Sequence, residues 1–206
     1  MPSDRFNRLD NNKHQRIMDA AIDEFLKSGY NEASINQIIK EAEISRGSFY
    51  TYFADKHELF DHIFNKMKTI AAESIVDEVR TQNGDIFAAA RALIDKGLNL
   101  KPIPKNKMAK LFNKLISSKD IALYMDELSM VTKDDILDQM VRDIYDSMND
   151  LKDSITLDEF RTVADMLVSI SIKALVGSTK NKEYTLITLY KQYDIIEAGI
   201  RGGIKK

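Results

Sequence analysis

The 206-residue sequence contains no cysteine, three prolines and eight glycines. Without cysteine there can be no disulfide, no thiolate zinc site and no cysteine nucleophile, which fits a reducing compartment. Two of the prolines, Pro102 and Pro104, sit close together, and the third is Pro2. So few breakers, with few alternating β-branched runs, leave helix as the default for nearly the whole chain. Charge of one sign is lacking too: 30 Lys+Arg face 32 Asp+Glu for a formal net charge of -2, which excludes a polycation drawn to phosphate by bulk attraction. The longest apolar-rich run, residues 166–177, is interrupted by Ser169, Ser171 and Lys173 and falls short of the roughly 20 residues a membrane span needs. The N-terminal MPSDRFNRLDNNKHQR lacks the apolar stretch of a signal peptide, so a cytoplasmic location is expected. Catalytic constellations are missing as well. The three histidines are His14, His57 and His62, and the last two are five apart rather than a helical i, i+4 metal pair. There is no Gly-rich phosphate loop, nucleophile elbow or HExxH. The chain is read as a non-enzyme with no catalytic residue, metal or cofactor, and Asp134, Asp135 and Asp138 as a solvated helix face.

What is present is an ordinary helical core composition, 44% hydrophobic. Ile17, Ala20, Ala21 and Phe25 recur at three- and four-residue steps and predict a helix over 12–28, with Gly29 as its C-cap. Ser34 and Gln37 form a capping-box pattern opening a short helix with Ile35, Ile38, Ile39 and Ala42 buried. After the turn Ala42-Glu43-Ile44, Ser45 caps a third helix whose Phe49 and Phe53 face the core. Asp55, with Glu58 three residues on, caps a fourth helix running to about residue 82. Asn83-Gly84 breaks the pattern, and Asp85 caps a fifth helix that Gly97, Pro102 and Pro104 terminate before a loop over 101–107. Further helices are expected over 107–117, 120–149 (bent or broken around Val131-Thr132), 156–177 and 182–200.

Residues 34–56, SINQIIKEAEISRGSFYTYFADK, place two short capped helices around a three- to four-residue turn, the helix-turn-helix arrangement that lays its second helix in the DNA major groove. With Ile44, Phe49 and Phe53 inward, Arg46, Gly47, Ser48, Tyr50 and Thr51 are left outward. Arg46 suits guanine O6 and N7, Gly47 permits close approach, and the Ser48 and Thr51 hydroxyls can donate or accept. Tyr50 and Tyr52 suit phosphate oxygens, Ser34 opens a helix N-terminus toward a phosphate, and Lys56 adds a charge at the same rim. Arg5, Arg8, Lys13 and Arg16 outnumber Asp4 and Asp10, so a mobile arm could place Arg5 or Arg8 in a minor groove.

This stretch resembles the N-terminal DNA-binding domain of the TetR family of bacterial transcriptional regulators. The resemblance covers roughly residues 13–64, through Gly29-Tyr30, Ser34 to Ile38, Ala42 to Phe53, Lys56 and Leu59-Phe60. Glu43 departs from it, standing in the turn where the family usually has Gly. The resemblance implies that Arg46, Gly47, Ser48, Tyr50 and Thr51 read bases or adjacent backbone. Ser34, Asn36, Gln37, Tyr52 and Lys56 lie toward phosphates, with Asn36 also able to reach a base, and Ser45 caps the reading helix within the site. It implies an all-α architecture, a three-helix helix-turn-helix domain joined to a C-terminal helical domain for ligand binding and dimerisation. The expected division is a flexible arm over 1–11, a DNA-binding domain over 12–54 and an effector-binding and dimerisation domain over 55–206.

Six of the nine methionines fall between Met108 and Met166, interspersed with aromatics. Met accepts varied apolar partners, so Phe64, Met67, Phe87, Phe112, Met125, Met140, Tyr145 and Met166 are the expected lining of a pocket for a small apolar effector. The final two helices carry Ala174, Gly177, Ala198 and Gly199, which allow close approach. Their pairing with two-fold copies, implied by the resemblance, places Ile170, Ala174, Gly177, Leu189, Tyr193 and Ile196 at a homodimer interface. The expected function is a ligand-responsive regulator, most often a repressor, that binds a palindromic double-stranded DNA operator as a homodimer and is released by its effector. The alternative is a helical small-molecule-binding or protein-interaction module with a vestigial head. Residues 1–70 hold 10 positive and 11 negative side chains, so the head is not a hidden basic domain.

Overall fold

The computed structural model describes residues 2–99, 107–117, 135–149, 151–177 and 182–202. Ten α-helices and no strand occur among them, so the all-helical expectation holds. The predicted loop over 101–107 lies outside the described residues except for Lys107, which begins a helix, and the break at Val131-Thr132 and Met125 also lie outside them. The chain divides into two compact units: residues 1–68 with 102–120, and residues 69–101 with 121–206. The long helix α5 (Lys56–Thr81) contributes to both.

The first unit opens with α1 (Asp4–Asn7), one turn capped by Ser3, whose hydroxyl accepts from Phe6 N–H. Phe6 is wholly buried, so residues 2–11 are not the free arm expected over 1–11; a single aromatic docks them. The helix α2 (Asn11–Glu32) starts on Asp10, whose carboxylate accepts from Lys13 N–H at 2.9 Å. Gly29 sits at φ 76°, ψ 172°, a conformation closed to side chains with a Cβ. The break foreseen at Gly29 is therefore a kink, and one more turn follows it to Glu32. Next come α3 (Ile35–Glu41) and α4 (Arg46–Tyr52). Ser45 accepts from Ser48 N–H, as its capping role requires, whereas Ser34 makes no side-chain cap bond. At the start of α5, Asp55 accepts from Glu58 N–H at 2.8 Å, and the Glu58 carboxylate accepts from Ala54 N–H at 2.6 Å. The box thus closes one residue earlier than the pattern implies. The core joins Ile17, Ala21 and Phe25 of α2, Ile38 of α3, Phe49 and Phe53, and Leu59, Phe60, Ile63 and Phe64 of α5, all buried.

The helix α7 (Lys107–Ser117) belongs to this unit. Leu111 and Leu115 are buried, Lys107 Nζ pairs with Asp23 at 2.6 Å, and Lys114 Nζ donates to the Leu26 carbonyl at 2.5 Å.

The second unit packs α6 (Ile86–Asn99), α8 (Asp135–Ser147), α9 (Leu157–Gly177) and α10 (Lys182–Arg201) with the later part of α5. Its core contains Val79, Phe87, Val141, Phe160, Leu189 and Tyr193. Asn83 and Gly84 both take positive φ, 55° and 84°. At Gly84 a side chain is doubly excluded, because a Cβ would collide with the Ser147 carbonyl oxygen. Asp85 caps α6 by accepting from Phe87 and Ala88 N–H groups at 2.9 and 2.8 Å. Gly97, expected to stop this helix, lies inside it. One Gly costs a helix only about 1 kcal/mol, which neighbouring turns absorb. Polar groups in this unit are paired across helices: Arg91 with Asp194 at 2.5 Å, Tyr190 with Asp95 at 2.6 Å, and Tyr193 with Ser171 at 2.5 Å. No helix among the described residues is long and apolar enough to cross a membrane.

Candidate nucleic-acid interface

The turn that launches α4 is set by Glu43, which adopts φ 53°, a left-handed conformation that disfavours any residue with a Cβ. Its carboxylate meets Arg16 of α2 at 2.9 Å, with both side chains well exposed. The negative charge that the sequence places beside the reading helix is therefore matched by one of the extra positive charges counted in the N-terminal segment.

Beyond the turn, Ser45 accepts from Ser48 N–H at 3.0 Å, and the two hydroxyls lie 2.9 Å apart. Arg46 extends along the outer face. Its Nη1 donates to Asn36 Oδ1 at 3.3 Å, and its guanidinium stands 5.7 Å from the centroid of the exposed Tyr50 ring. Asn36, Arg46 and Tyr50 thus form one group spanning α3 and α4, with the guanidinium held at one edge and one face. Thr51 Oγ1 donates to the Gly47 carbonyl at 2.8 Å. That hydroxyl is committed as a donor within its helix, which leaves it an acceptor toward a base, suited to an adenine or cytosine amino group. Gln37, Ser45 and Gly47 are exposed on the same segment.

Three expected phosphate contacts are placed differently. Tyr52 is only 8% exposed: it lies three residues after Phe49, so it shares the buried stripe, packs its ring 5.9 Å from Phe6 and has Lys13 Nζ 5.8 Å away. Ser34 N–H is taken by Glu24 Oε1 at 2.9 Å and cannot serve a phosphate. Lys56 Nζ donates to the Asn31 and Ala33 carbonyls at 2.9 and 3.1 Å and sits 5.1 Å from the Tyr30 ring. Lys56 therefore closes the link between α2 and α3, leaving one of its three hydrogens.

Glu24 escaped the sequence reading. It is a buried carboxylate that also accepts from Ser28 at 3.2 Å. The signal was an acidic residue one turn beyond Ala20 and Ala21, on the apolar stripe. Phe6 was likewise passed over, as an isolated aromatic in a polar segment.

The expected effector lining is divided between the two units. Phe64, Met67 and Phe112 belong to the first unit and Phe87, Met140 and Tyr145 to the second. Met166 is exposed because its register on α9 points it away from the core. The second unit does hold a cleft of about 460 Å³, lined by Ala72, Val76, Ile136 and Met140 with Glu73, Asp77, Arg80 and Asp143 around them. Of the expected interface residues, Leu189 and Tyr193 are core, with Ile170, Ala174 and Ile196 packed against it. Gly177 is the last residue of α9. On these two helices the exposed large apolar side chains are instead Met166 of α9 and Tyr184, Ile187 and Ile195 of α10. Leu189 and Ile195 are six apart, roughly 120° around the helix, so they face different sides of it.

Residues 17–63 match the family model of bacterial regulatory proteins, tetR family. The chain is 31% identical over 84 residues to the uncharacterized HTH-type transcriptional regulator YvdT of Bacillus subtilis, covering 41% of this chain and 43% of that protein. It is 37% identical over 54 residues to the HTH-type transcriptional regulator QacR of Staphylococcus aureus, covering 26% and 29%. The matches thus span less than half of these relatives' lengths. The fold is that of a TetR-family transcriptional regulator from Pectobacterium atrosepticum, with a TM-score of 0.53 at 14% identity over 96% of this chain and 99% of that one. The helix-turn-helix geometry and the sequence match agree over the head: residues 17–63 are similar to the DNA-binding domain of bacterial regulatory proteins of the tetR family.

Proposed function

We propose that this protein is a transcriptional regulator, acting as a repressor, whose homodimer reads a palindromic operator and releases it on binding a small apolar effector. The observation that carries the reading is the outer face of α4, where Arg46 is held by Asn36 and Tyr50 beside Gly47, Ser48 and Thr51. A short helix with a pre-positioned guanidinium and hydroxyl acceptors has the donor and acceptor set that major-groove edges require. With the head near neutrality, selectivity rests on these groups, doubled by a second protomer, rather than on attraction to phosphate.

Met166, Tyr184, Ile187 and Ile195 supply the apolar face for that second protomer. Two reading helices about one DNA turn, ~34 Å, apart then match a two-fold operator. The effector site is the cleft beside α5, which shares Met140 with the lining expected from sequence. Its carboxylates, Glu73, Asp77 and Asp143, outnumber its one guanidinium, Arg80, and so favour an apolar effector with positive charge. Because α5 continues from that cleft into the head, an effector preferring one position of α5 shifts the equilibrium between reading-head spacings; equal affinity for both would shift nothing.

The test is selection of duplexes from a random library by the wild-type protein, followed by anisotropy titration with and without Arg46→Ala. Sequence-selective binding with a negative salt slope supports the reading. A protein that enriches no duplex refutes it and leaves the interaction-module alternative. Thermal shifts with cationic and anionic amphiphiles test the effector class, because a ligand that binds the folded state raises the melting temperature.

A further inference from the structure

The recognition helix α4 has seven residues, too few to be stable alone, so its orientation depends on what anchors its two ends. At its N-terminal end stand the Ser45 cap and the Glu43–Arg16 pair. Its C-terminal end carries carbonyl groups that have no partner within the helix and must find one outside it. The Tyr52 carbonyl finds one in the N-terminal segment, accepting from Ser3 N–H at 3.0 Å. Three residues on, Phe6 is fully buried, its ring 4.6 Å from His14, 4.6 Å from Phe53, 5.5 Å from His62 and 5.9 Å from Tyr52. These neighbours come from α2, the end of α4 and α5. One side chain therefore joins the end of the reading helix to the two long helices that frame it.

The local chain is built to present that side chain. Ser3 accepts from Phe6 N–H, Arg8 N–H closes on the Asp4 carbonyl at 3.1 Å, and Leu9 N–H on the Phe6 carbonyl at 3.1 Å. Asp10 then caps α2 directly. No slack separates the docked turn from the helix that follows.

We infer that α1 is a clasp on the recognition helix, and that Phe6 is a positioning residue for DNA reading, fixing the C-terminal end of α4 through Tyr52 and Phe53. The inference rests on the DNA-reading function proposed above. It differs from a general contribution to stability in one respect. A clasp sets the angle of the reading face, so its loss lowers discrimination between cognate and unrelated duplexes, whereas partial unfolding lowers binding to both in proportion.

The test uses full-length protein, with Phe6→Ala as the cavity variant and Phe6→Leu as the conservative one. Hydrogen exchange of the amides over 49–53 reads the clasp, with the amides over 17–25 as an internal measure of head folding. Anisotropy titration, on the duplex selected by wild type and on a scrambled duplex, reads discrimination. Phe6→Ala is expected to accelerate exchange over 49–53 without change over 17–25. It is expected to lower the cognate-to-scrambled affinity ratio about tenfold, the scale of one good base contact, with Phe6→Leu restoring most of both. If Phe6→Ala unfolds the head, seen as faster exchange over 17–25, Phe6→Leu decides on the same two readouts with a smaller expected effect. Unchanged exchange over 49–53 overturns the clasp. Faster exchange with an unchanged ratio overturns the positioning role. A wild-type protein that selects no duplex overturns the DNA-reading function and the positioning role with it, while exchange still reports whether α1 clasps α4.

Discussion

The two units expose different chemistry from the same kind of scaffold. In the head, the outward face of α4 is largely polar, and nearly every group on it is held: Arg46 by Asn36 and Tyr50, Ser48 by Ser45, Thr51 by Gly47. In the second unit, large apolar side chains, Met166 on α9 and Tyr184, Ile187 and Ile195 on α10, stand exposed among polar ones, while Tyr193 is turned inward and paired with Ser171. A face that reads hydrogen-bond patterns must be rigid before its partner arrives, because each misdirected donor loses its bond. A face that buries methyl and aromatic groups gains by area and tolerates adjustment. The comparison teaches where substitutions should be specific and where they should be graded.

The largest expected effects come from the cores. Phe49→Ala should destabilise the head by about 3–5 kcal/mol, and Phe87→Ala should do the same to the second unit. Denaturant unfolding followed separately by hydrogen exchange in each unit checks this, and the comparison breaks if Phe87→Ala loosens α4. Next comes Arg46→Ala, expected to cost operator affinity about 1–3 kcal/mol for each half-site. Its unfolding transition should not move, since Arg46 is exposed.

On the apolar face, Ile195→Glu should weaken dimerisation by about 2 kcal/mol, the scale of an interface hot spot, as read by sedimentation equilibrium. Leu189→Glu, on the same helix but in the core, should unfold the second unit instead. If the two variants behave alike, the assignment of the α10 face fails.

That last pair shows how far the sequence could be read. The head was legible because its signals are local: capping residues, a turn of fixed length and an outward face all lie within residues 34–56. Its errors concern which neighbour a side chain meets, since the fate of Tyr52 and Ser34 depends on Phe6 and Glu24, residues 46 and 10 positions away. In the second unit the helices themselves were legible from period and breakers, as at Asn83-Gly84. Their faces were not, because both sides of α10 carry large apolar residues. Only packing against α6 and α9 decides that Leu189 and Tyr193 turn in and Ile195 turns out.

Acid sharpens the contrast between the units. Burial first, then the nearby Lys66 charge, holds His14 below its ordinary value of 6.5. His62 is held below 6.5 by burial, then by His14 and Lys66. The unfolded chain therefore takes up these protons first, so their contribution to head stability is complete above pH 6.5 and is lost as pH falls through the lowered folded values. Asp61, whose carboxyl is raised by burial, acts in the opposite sense. In the second unit the buried Glu78 carboxyl is held below 4.5 by hydrogen bonds from Lys96 and Gln82. Its stabilisation is lost only as pH falls below 4.5. Between pH 6.5 and 4.5 exchange should quicken in the head before it does around Glu78, and His62→Gln should flatten the head's response.

The smallest effect expected is at the turn. Glu43→Gly relieves a left-handed conformation that costs a residue with a Cβ roughly 1–2 kcal/mol. It also loosens the unfolded chain, at about 0.4–1 kcal/mol, and removes the exposed Arg16 pair, which is worth about 0–1 kcal/mol. The terms nearly cancel, and a head stabilised by no more than about 1.6 kcal/mol is expected in denaturant titration. Glu43→Gln separates them: it keeps the backbone strain and loses the ion pair, so it should be slightly destabilising where Glu43→Gly is slightly stabilising. Both variants free Arg16, and if its guanidinium then meets a phosphate the salt slope of operator binding should steepen by about 0.9 for each protomer. Equal stabilities for the two variants would show that relieving the positive φ of Glu43 gains no more than the added freedom of the unfolded chain costs, and that the turn has no net gain from the glycine the family usually places there.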